Sequence, residues 1–189
     1  MTRIALILAG FFALPALLLA AEPKSLEKPK PVTLTFYVAG VECPSCVYSV
    51  NYSISQLKSV SDVTAGQWIE NYANVTFDPK VVSVHQIAQA VYDAPPLHGT
   101  PYTASMKLFI PDYAKGDNAR KVDALFAKWK SAIEVEVADK AEGKLIMHFQ
   151  PLKVEEKKTG PQGWTLEELR RGLESLGLKH QLAEEKEPM

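Results

Sequence analysis

The sequence predicts an α+β fold of two βαββαβ units in tandem, with antiparallel sheets that are covered by helices on one face. Two observations support this prediction. From Val32 to Leu182, stretches in which every second residue is apolar, typical of half-buried strands, alternate with stretches of three- and four-residue apolar spacing, typical of helices. The order strand, helix, strand, strand, helix also occurs twice along the chain, with almost no residue identity between the two copies.

The first unit begins with a strand that has one apolar face, formed by Val32, Leu34, Phe36 and Val38. Helical spacing follows and predicts a helix that begins near Cys46, with the stripe Val47, Val50, Ile54 and Leu57. Residues 61–70 and 72–78 are then expected to form a hairpin of two strands. Ser83 and Gln86 have the spacing of a capping box, which predicts the start of a second helix, and Pro95-Pro96 ends that helix.

The second unit has the same element order. Its strands are marked by alternating apolar residues (Met106 to Ile110, Ile133 to Val137, Leu145 to Phe149), its helices span 119–129 and 165–176, and a last short strand covers 178–182. Residues 98–110 must supply both the last strand of the first unit and the first strand of the second. A single strand that is shared by both sheets and bent near 102–105 satisfies this requirement. The predicted units are thus ferredoxin-like, with helices on one face of a four-stranded antiparallel sheet.

The chain ends are expected to lie outside this fold. Arg3 precedes an uncharged apolar run, so residues 1–21 resemble a secretory signal peptide. The remaining predicted boundaries are a proline-rich linker at 22–31, the first unit at 32–102, a second unit without cysteines at 103–183, and a charged tail at 184–189. We therefore expect export to the periplasm or to the cell exterior, with membrane attachment only if the signal stays uncleaved.

Composition narrows the function. The chain has 21 Lys and Arg, 22 Asp and Glu, and a formal net charge of −1, so it has no electrostatic signature of a nucleic-acid partner or an anionic membrane surface. No paired carboxylates, glycine-rich phosphate loop or Ser/His/Asp arrangement is apparent in the sequence, which favours a protein that is not an enzyme. The remaining candidates for chemistry are the thiols.

The two cysteines, Cys43 and Cys46, stand in a Cys-Pro-Ser-Cys sequence. In an exported protein such a pair acts locally, as a metal clamp, a redox couple or a small disulfide. The first thiol lies in a loop and the second in the first turn of a helix, so both can face one ion, and the helix N-terminus favours thiolates. Two thiolates without hard ligands suit copper(I) or another soft heavy-metal ion, whereas structural zinc requires four ligands.

The residues around this pair resemble the metal-binding loop of heavy-metal-associated domains. Gly40 to Val47 (Gly-Val-Glu-Cys-Pro-Ser-Cys-Val) is similar to the family's G-M-x-C-x-x-C loop, and Asn74 to Pro79 is similar to its third strand and turn. The resemblance covers about Val32 to Ala94, and the family includes copper chaperones, modules of copper-transporting ATPases and the periplasmic mercury-binding protein. The resemblance implies that Cys43 and Cys46 are the metal ligands.

Three features depart from the family pattern. Val41 stands where the family has a methionine that packs beneath the site. Glu42 replaces a neutral residue and is expected to raise the thiol pKa. The tyrosine or lysine that follows the second helix in the family is replaced by a Pro-Pro-Leu-His segment ending at His98. Because this segment lies beside the metal loop in the family fold, His98 is a candidate third ligand or proton donor.

The preferred interpretation is an exported protein that holds copper(I), or next mercury(II), between Cys43 and Cys46 in near-linear coordination and exchanges it with a metal-donor or acceptor protein. A periplasmic thiol–disulfide oxidoreductase stays open, because Cys-Pro-Ser-Cys also resembles thioredoxin-type centres, with Pro79 as their later cis-proline. The antiparallel hairpin predicted for 61–78 argues against that fold. A scaffold with a local disulfide is the third alternative.

Several other residues receive structural roles. His85, His148 and His180 are expected at the surface, and Met106 and Met147 in the core. The second unit has no cysteine in its corresponding loop, 111–117, and is expected to be a degenerate copy without a metal site. The alternative is that it docks a partner or positions the first unit.

Overall fold

The computed structural model describes residues 30–153 and 160–183. Its elements in chain order are β1 (Val32–Ala39), α1 (Pro44–Ser55), β2 (Val60–Ala65), a 3-10 turn (Trp68–Glu70), β3 (Tyr72–Phe77), α2 (Val84–Asp93), β4 (Thr103–Phe109), α3 (Asn118–Ala127), β5 (Ile133–Asp139), β6 (Lys144–Phe149), α4 (Leu166–Ser175) and β7 (Gln181–Leu182). The predicted signal peptide, most of the linker and the tail lie outside the described residues. In the described ranges, no helix has the length and apolar character that a membrane span needs.

The strands of the described residues form one antiparallel sheet in the order β2-β3-β1-β4-β6-β5, with β7 also paired to β4. One edge of β4 pairs with β6. The opposite edge pairs with β1 at 103–105 and with β7 at Leu108 and Phe109. The predicted antiparallel sheet with helices is therefore confirmed, although it is continuous rather than divided into two sheets. β4 is the strand that both halves of the sheet share.

Two elements differ from the sequence prediction near the first sheet edge. Helix α1 begins at Pro44, before the predicted start near Cys46, because Cys43 is its N-cap. The strand predicted for 61–70 ends at Ala65. A capping box between Gln67 and Glu70 starts the 3-10 turn instead, since each side chain accepts the backbone N–H of the other residue. This local hydrogen bonding competes with strand pairing and shortens β2.

One apolar cluster lies on the helix-covered face of the sheet and runs continuously across β4. Alternate strand residues supply its floor, and all of the following are buried: Phe36, Val38, Val75, Phe77, Met106, Leu108, Leu145 and Met147. Each helix adds apolar side chains to it: Val50 and Ile54, Ile87 and Val91, Val122 and Phe126, and Leu169 and Leu173. The predicted core positions of Met106 and Met147 are confirmed. Burial of each such side chain stabilises the fold by roughly 1.5–3 kcal/mol.

His85 is buried, with 2% of its surface exposed, so its predicted surface position is wrong. Its Nε2 lies 2.8 Å from the Gln150 carbonyl oxygen, and its Nδ1 accepts the Trp164 N–H at 3.2 Å. These contacts fix a neutral ring with its proton on Nε2. The side-chain oxygen of Gln86 accepts the Gln162 N–H at 2.9 Å. The start of α2 is therefore covered by the chain segment before α4, which the periodicity of α2 alone does not reveal.

Acidification is expected to destabilise the fold through His85. Burial lowers the pKa of His85 below 6.5, so the folded state favours the neutral ring. A group with a lowered folded-state pKa stabilises the fold above its unfolded pKa, and that stability is lost as the pH falls through the folded pKa. The variant His85→Gln retains a side-chain donor and is expected to cost about 1–3 kcal/mol at neutral pH, with a weaker further loss on acidification.

Urea unfolding between about pH 7.5 and about pH 5 measures this difference. The matched control is His148→Gln, because His148 lies on the open sheet face with its Nε2 3.2 Å from Glu136. We expect the control to keep the pH dependence of the wild type. An unchanged pH dependence in His85→Gln would assign the acid sensitivity to other groups.

Candidate metal centre

The loop between β1 and α1 turns sharply at Gly40. This residue has φ +88°, a conformation that L side chains rarely adopt, and a Cβ there would lie 3.2 Å from the Pro101 carbonyl oxygen. The turn places the start of α1 beside the segment between α2 and β4. Residues from two separate parts of the chain thus meet at one end of the sheet.

Both cysteines are free thiols at the N-terminus of α1. Their Sγ atoms are 3.1 Å apart, and the Cys46 N–H donates to the Cys43 Sγ at 3.4 Å. Cys43 is half-buried in the loop, whereas Cys46 is fully buried in the first helical turn. The sulfurs therefore converge, as the sequence spacing predicts. The helix N-terminus adds partial positive charge next to them, which favours thiolate over thiol.

Burial raises the pKa of the Cys46 thiol, but hydrogen bonds to its sulfur from the Tyr102 hydroxyl, the Glu42 backbone and Cys43 outweigh it and lower the pKa from 9.0 to about 7. The prediction that Glu42 raises the thiol pKa is therefore wrong for Cys46. The exposed Glu42 acts through its backbone, in the opposite direction. A substantial thiolate fraction at neutral pH follows from these contacts.

His98 lies beside the cysteines, where the family resemblance places it. Its Nε2 is 3.4 Å from the Cys43 Sγ. One ligand atom from each of Cys43, Cys46 and His98 can be chosen so that all three lie within 4.8 Å of one another. Within the described residues, no second group of three or more metal-ligating side chains is found. The loop at 111–117 therefore forms no such group.

Tyr102 is the site residue that sequence analysis missed. It is buried with 1% of its surface exposed, bonds to the Cys46 sulfur and accepts the Leu97 N–H at 3.3 Å. The family pattern has a tyrosine or lysine directly after the second helix. Here a tyrosine comes later, after the Pro-Pro-Leu-His segment, at the start of β4. The apolar and extended residues after Tyr102 were the available signal that the chain re-enters the sheet at this point.

Replacing Tyr102 by phenylalanine is expected to raise the pKa of the Cys46 thiol above about 7, because the sulfur loses a donor that stabilises its charged form. The growth of thiolate absorbance near 240 nm with pH measures the change. Tyr113→Phe is the matched control, since Tyr113 is another buried tyrosine but bonds to Asp123 at 3.1 Å. Equal thiol titrations in Tyr102→Phe and the wild type would contradict the role of Tyr102.

His148 lies partly exposed beside Glu136, as predicted, and His180 is half-buried near β7. The described residues contain no cis peptide bond, so Pro79 does not match the cis-proline of thioredoxin-type centres. The strands β2 and β3 pair antiparallel, as the sequence predicts.

Comparison with known proteins places this site in a family. No protein-family model matches the chain. An uncharacterized protein of Haemophilus influenzae is 34% identical over 62 residues, which are 33% of this chain and 88% of that protein. The mercury-bound form of MerP, the periplasmic protein of the bacterial mercury detoxification system, is 32% identical; the match covers 40% of this chain and 97% of MerP, with a TM-score of 0.33. A candidate copper-ion-binding protein of Bacillus anthracis is 28% identical, with 40% of this chain and 97% of that chain covered and a TM-score of 0.35.

The family assignment rests on sequence. The match to MerP extends over nearly the whole of that protein at 32% identity. The Gly-Val-Glu-Cys-Pro-Ser-Cys segment lies at the turn from β1 into α1. This chain therefore belongs to the heavy-metal-associated domain family.

Proposed function

We propose that this protein is exported and holds a soft metal ion, copper(I) first and mercury(II) next, between the thiolates of Cys43 and Cys46. The observation that carries the proposal is the convergence of the two free sulfurs at 3.1 Å on a helix N-terminus. The lowered pKa of the Cys46 thiol, about 7, supports it, because the thiolate is the metal-binding form. The relatives also support it, since MerP binds mercury and the Bacillus anthracis protein is described as binding copper ions.

Copper(I) is preferred because the donors are soft. Thiolates select copper(I) over harder ions, whereas zinc in a structural site requires four ligands and the cluster offers three. The half-buried Cys43 is the accessible sulfur. A partner's thiolate would bind the ion from that side, and each new metal–sulfur bond would replace one to Cys43 or Cys46. The ion thus passes between proteins without being released into water.

The same proposal assigns roles to the rest of the chain. Residues 1–21 direct export to the periplasm or to the cell exterior, residues 32–102 form the metal-binding unit, and residues 103–183 form a second unit. We infer that the second unit positions the first or docks the metal donor or acceptor. Its lack of cysteines favours a structural contribution over a second metal site.

The proposal is tested by loading the reduced full chain with copper(I) against a chelator of known affinity. One copper(I) per chain, retained in competition, is the expected result. Loading is also expected to fail after oxidation of the thiols to a disulfide, because both sulfurs are then unavailable to the ion. Retention that is equal before and after oxidation would place the copper away from the cysteines and overturn the proposal.

A thiol–disulfide oxidoreductase is the second candidate function. The short distance between the sulfurs and the lowered pKa of Cys46 favour it, since a thiolate attacks disulfides. This function requires turnover of a disulfide substrate and a reduction potential near those of known oxidases. Absence of turnover, with copper(I) retained, would exclude the oxidoreductase and support metal binding as the function.

A further inference from the structure

We propose that His98 is a third ligand, so that the site is a bent Cys-Cys-His site that favours copper(I) over mercury(II). This inference rests on the proposed function of Cys43 and Cys46. It replaces the near-linear coordination that two cysteines alone would suggest. Its first support is the position of His98: the imidazole comes from a segment 55 residues away in the chain, yet its Nε2 lies 3.4 Å from the Cys43 Sγ.

The three ligand atoms are close enough to share one ion. When the metal–sulfur bonds are about 2.3 Å, ligand atoms on opposite sides of one ion are about 4.6 Å apart. One ligand atom from each of Cys43, Cys46 and His98 can be chosen so that all three lie within 4.8 Å of one another, which is close to that limit.

The segment that carries His98 is held in place at two points. The Ser49 hydroxyl of α1 donates to the Pro95 carbonyl oxygen at 3.0 Å. The Leu97 N–H donates to the hydroxyl of Tyr102, which also bonds to the Cys46 sulfur. Two successive prolines at 95 and 96 further restrict the backbone. The imidazole is therefore positioned before the ion arrives, which reduces the entropy lost on binding.

The third ligand has a consequence for ion selection. Imidazole is a good ligand for copper, while thiolates supply the softness that copper(I) requires. Mercury(II) is satisfied by two thiolates and gains less from a nitrogen donor. We therefore expect the variant His98→Ala to lower copper(I) affinity by at least about 10-fold, the loss typical of a disturbed metal site, and to leave mercury(II) affinity nearly unchanged.

X-ray absorption at the copper edge tests the ligand set directly. The full chain is loaded with copper(I) as wild type, as His98→Ala and as His148→Ala. His148 is the control because it lies on β6 and does not belong to the cluster of Cys43, Cys46 and His98. We expect two sulfurs, one nitrogen and the outer-shell scattering of an imidazole in the wild type and in His148→Ala. In His98→Ala we expect two sulfurs at shorter distances and no imidazole scattering.

The two possible failures are distinct. Identical two-sulfur spectra in the wild type and His98→Ala would overturn the third ligand and leave the proposed function standing. A wild-type chain that retains no copper(I) against the chelator would overturn the proposed function, and with it the role of His98. Equal losses of copper(I) and mercury(II) affinity in His98→Ala would overturn the proposed selectivity.

Discussion

The Cys43→Ser/Cys46→Ser variant is expected to lose copper(I) affinity by at least about 1,000-fold, since hydroxyl oxygens are poor ligands for a soft ion. The remaining candidate donor of the cluster is His98, and one imidazole does not replace two thiolates. This is the largest effect on binding that the site predicts. It would also separate metal binding by the cysteines from adventitious copper on surface groups.

The same variant is expected to stay folded. Serine is a good N-cap, so Cys43→Ser preserves the cap of α1, where the Cys43 side chain now accepts the Cys46 N–H. Serine at position 46 is buried but within reach of the Tyr102 hydroxyl, which bonds to the sulfur in the wild type. We expect a loss of about 1–3 kcal/mol from this polar replacement in the core.

Competition for copper(I) against a chelator measures the loss, and circular dichroism verifies the fold. Ser45→Ala is the matched control, because Ser45 is exposed between the two cysteines. We expect the control to bind copper(I) like the wild type. Equal affinity of the double variant and the wild type would show that the cysteines do not hold the ion.

The cysteine geometry could be predicted from the sequence because it is local. A strand, a glycine turn and a helix start fix the positions of Cys43 and Cys46 within a few residues of chain. The contacts of His98 and Tyr102 depend instead on where β4 enters the sheet, next to β1. The family resemblance predicted that His98 lies near the metal loop. It did not predict the contact between Tyr102 and Cys46, because the Pro-Pro-Leu-His segment places the tyrosine later in the chain than the family pattern does.

The errors in the fold prediction have a similar cause. The apolar stripe of α2 describes one face of the helix, and it carries no information about the segment before α4 that covers His85. The predicted strand at 61–70 was too long because the capping pair Gln67 and Glu70 is recognisable only once the turn is formed. Repetition of the element order predicted the elements well. The need for residues 98–110 to serve both units predicted a shared strand, which β4 confirms. The prediction differed in expecting two sheets, whereas the structure has one.

The shared strand makes the two halves depend on each other, and Gly143 offers a way to test this. Gly143 lies in the turn between β5 and β6 with φ +68°, and its carbonyl oxygen accepts the Ile110 N–H at 2.8 Å. A Cβ at this position would overlap the Ile110 carbonyl oxygen directly after β4. The backbone cannot yield as a flexible side chain would, so both strain and displacement of β4 are expected.

Gly143→Ala is therefore expected to destabilise the fold by roughly 3–5 kcal/mol, the upper range for a strained backbone with a steric clash. The matched control is Gly116→Ala: its φ is +56°, but a Cβ there meets nothing within 4 Å. The control has only the cost of the left-handed conformation, roughly 1–2 kcal/mol. Urea unfolding of both variants measures the difference, and equal losses would show that the clash is relieved at no cost.

The destabilisation by Gly143→Ala is expected to affect the metal centre, although the metal centre lies in the other half of the sheet. Cys46 is fully buried in the apolar cluster that continues across β4, so an alkylating reagent much larger than a metal ion reaches its thiol only after the fold opens. In a Cys43→Ser background, Gly143→Ala is expected to accelerate modification of Cys46 by roughly 100-fold or more, because global opening exposes the thiol. A destabilised β5–β6 turn with unchanged protection of Cys46 would mean that β4 separates two independent units. Acceleration in step with global stability would mean that the cysteine-free half maintains the fold in which the two thiols meet.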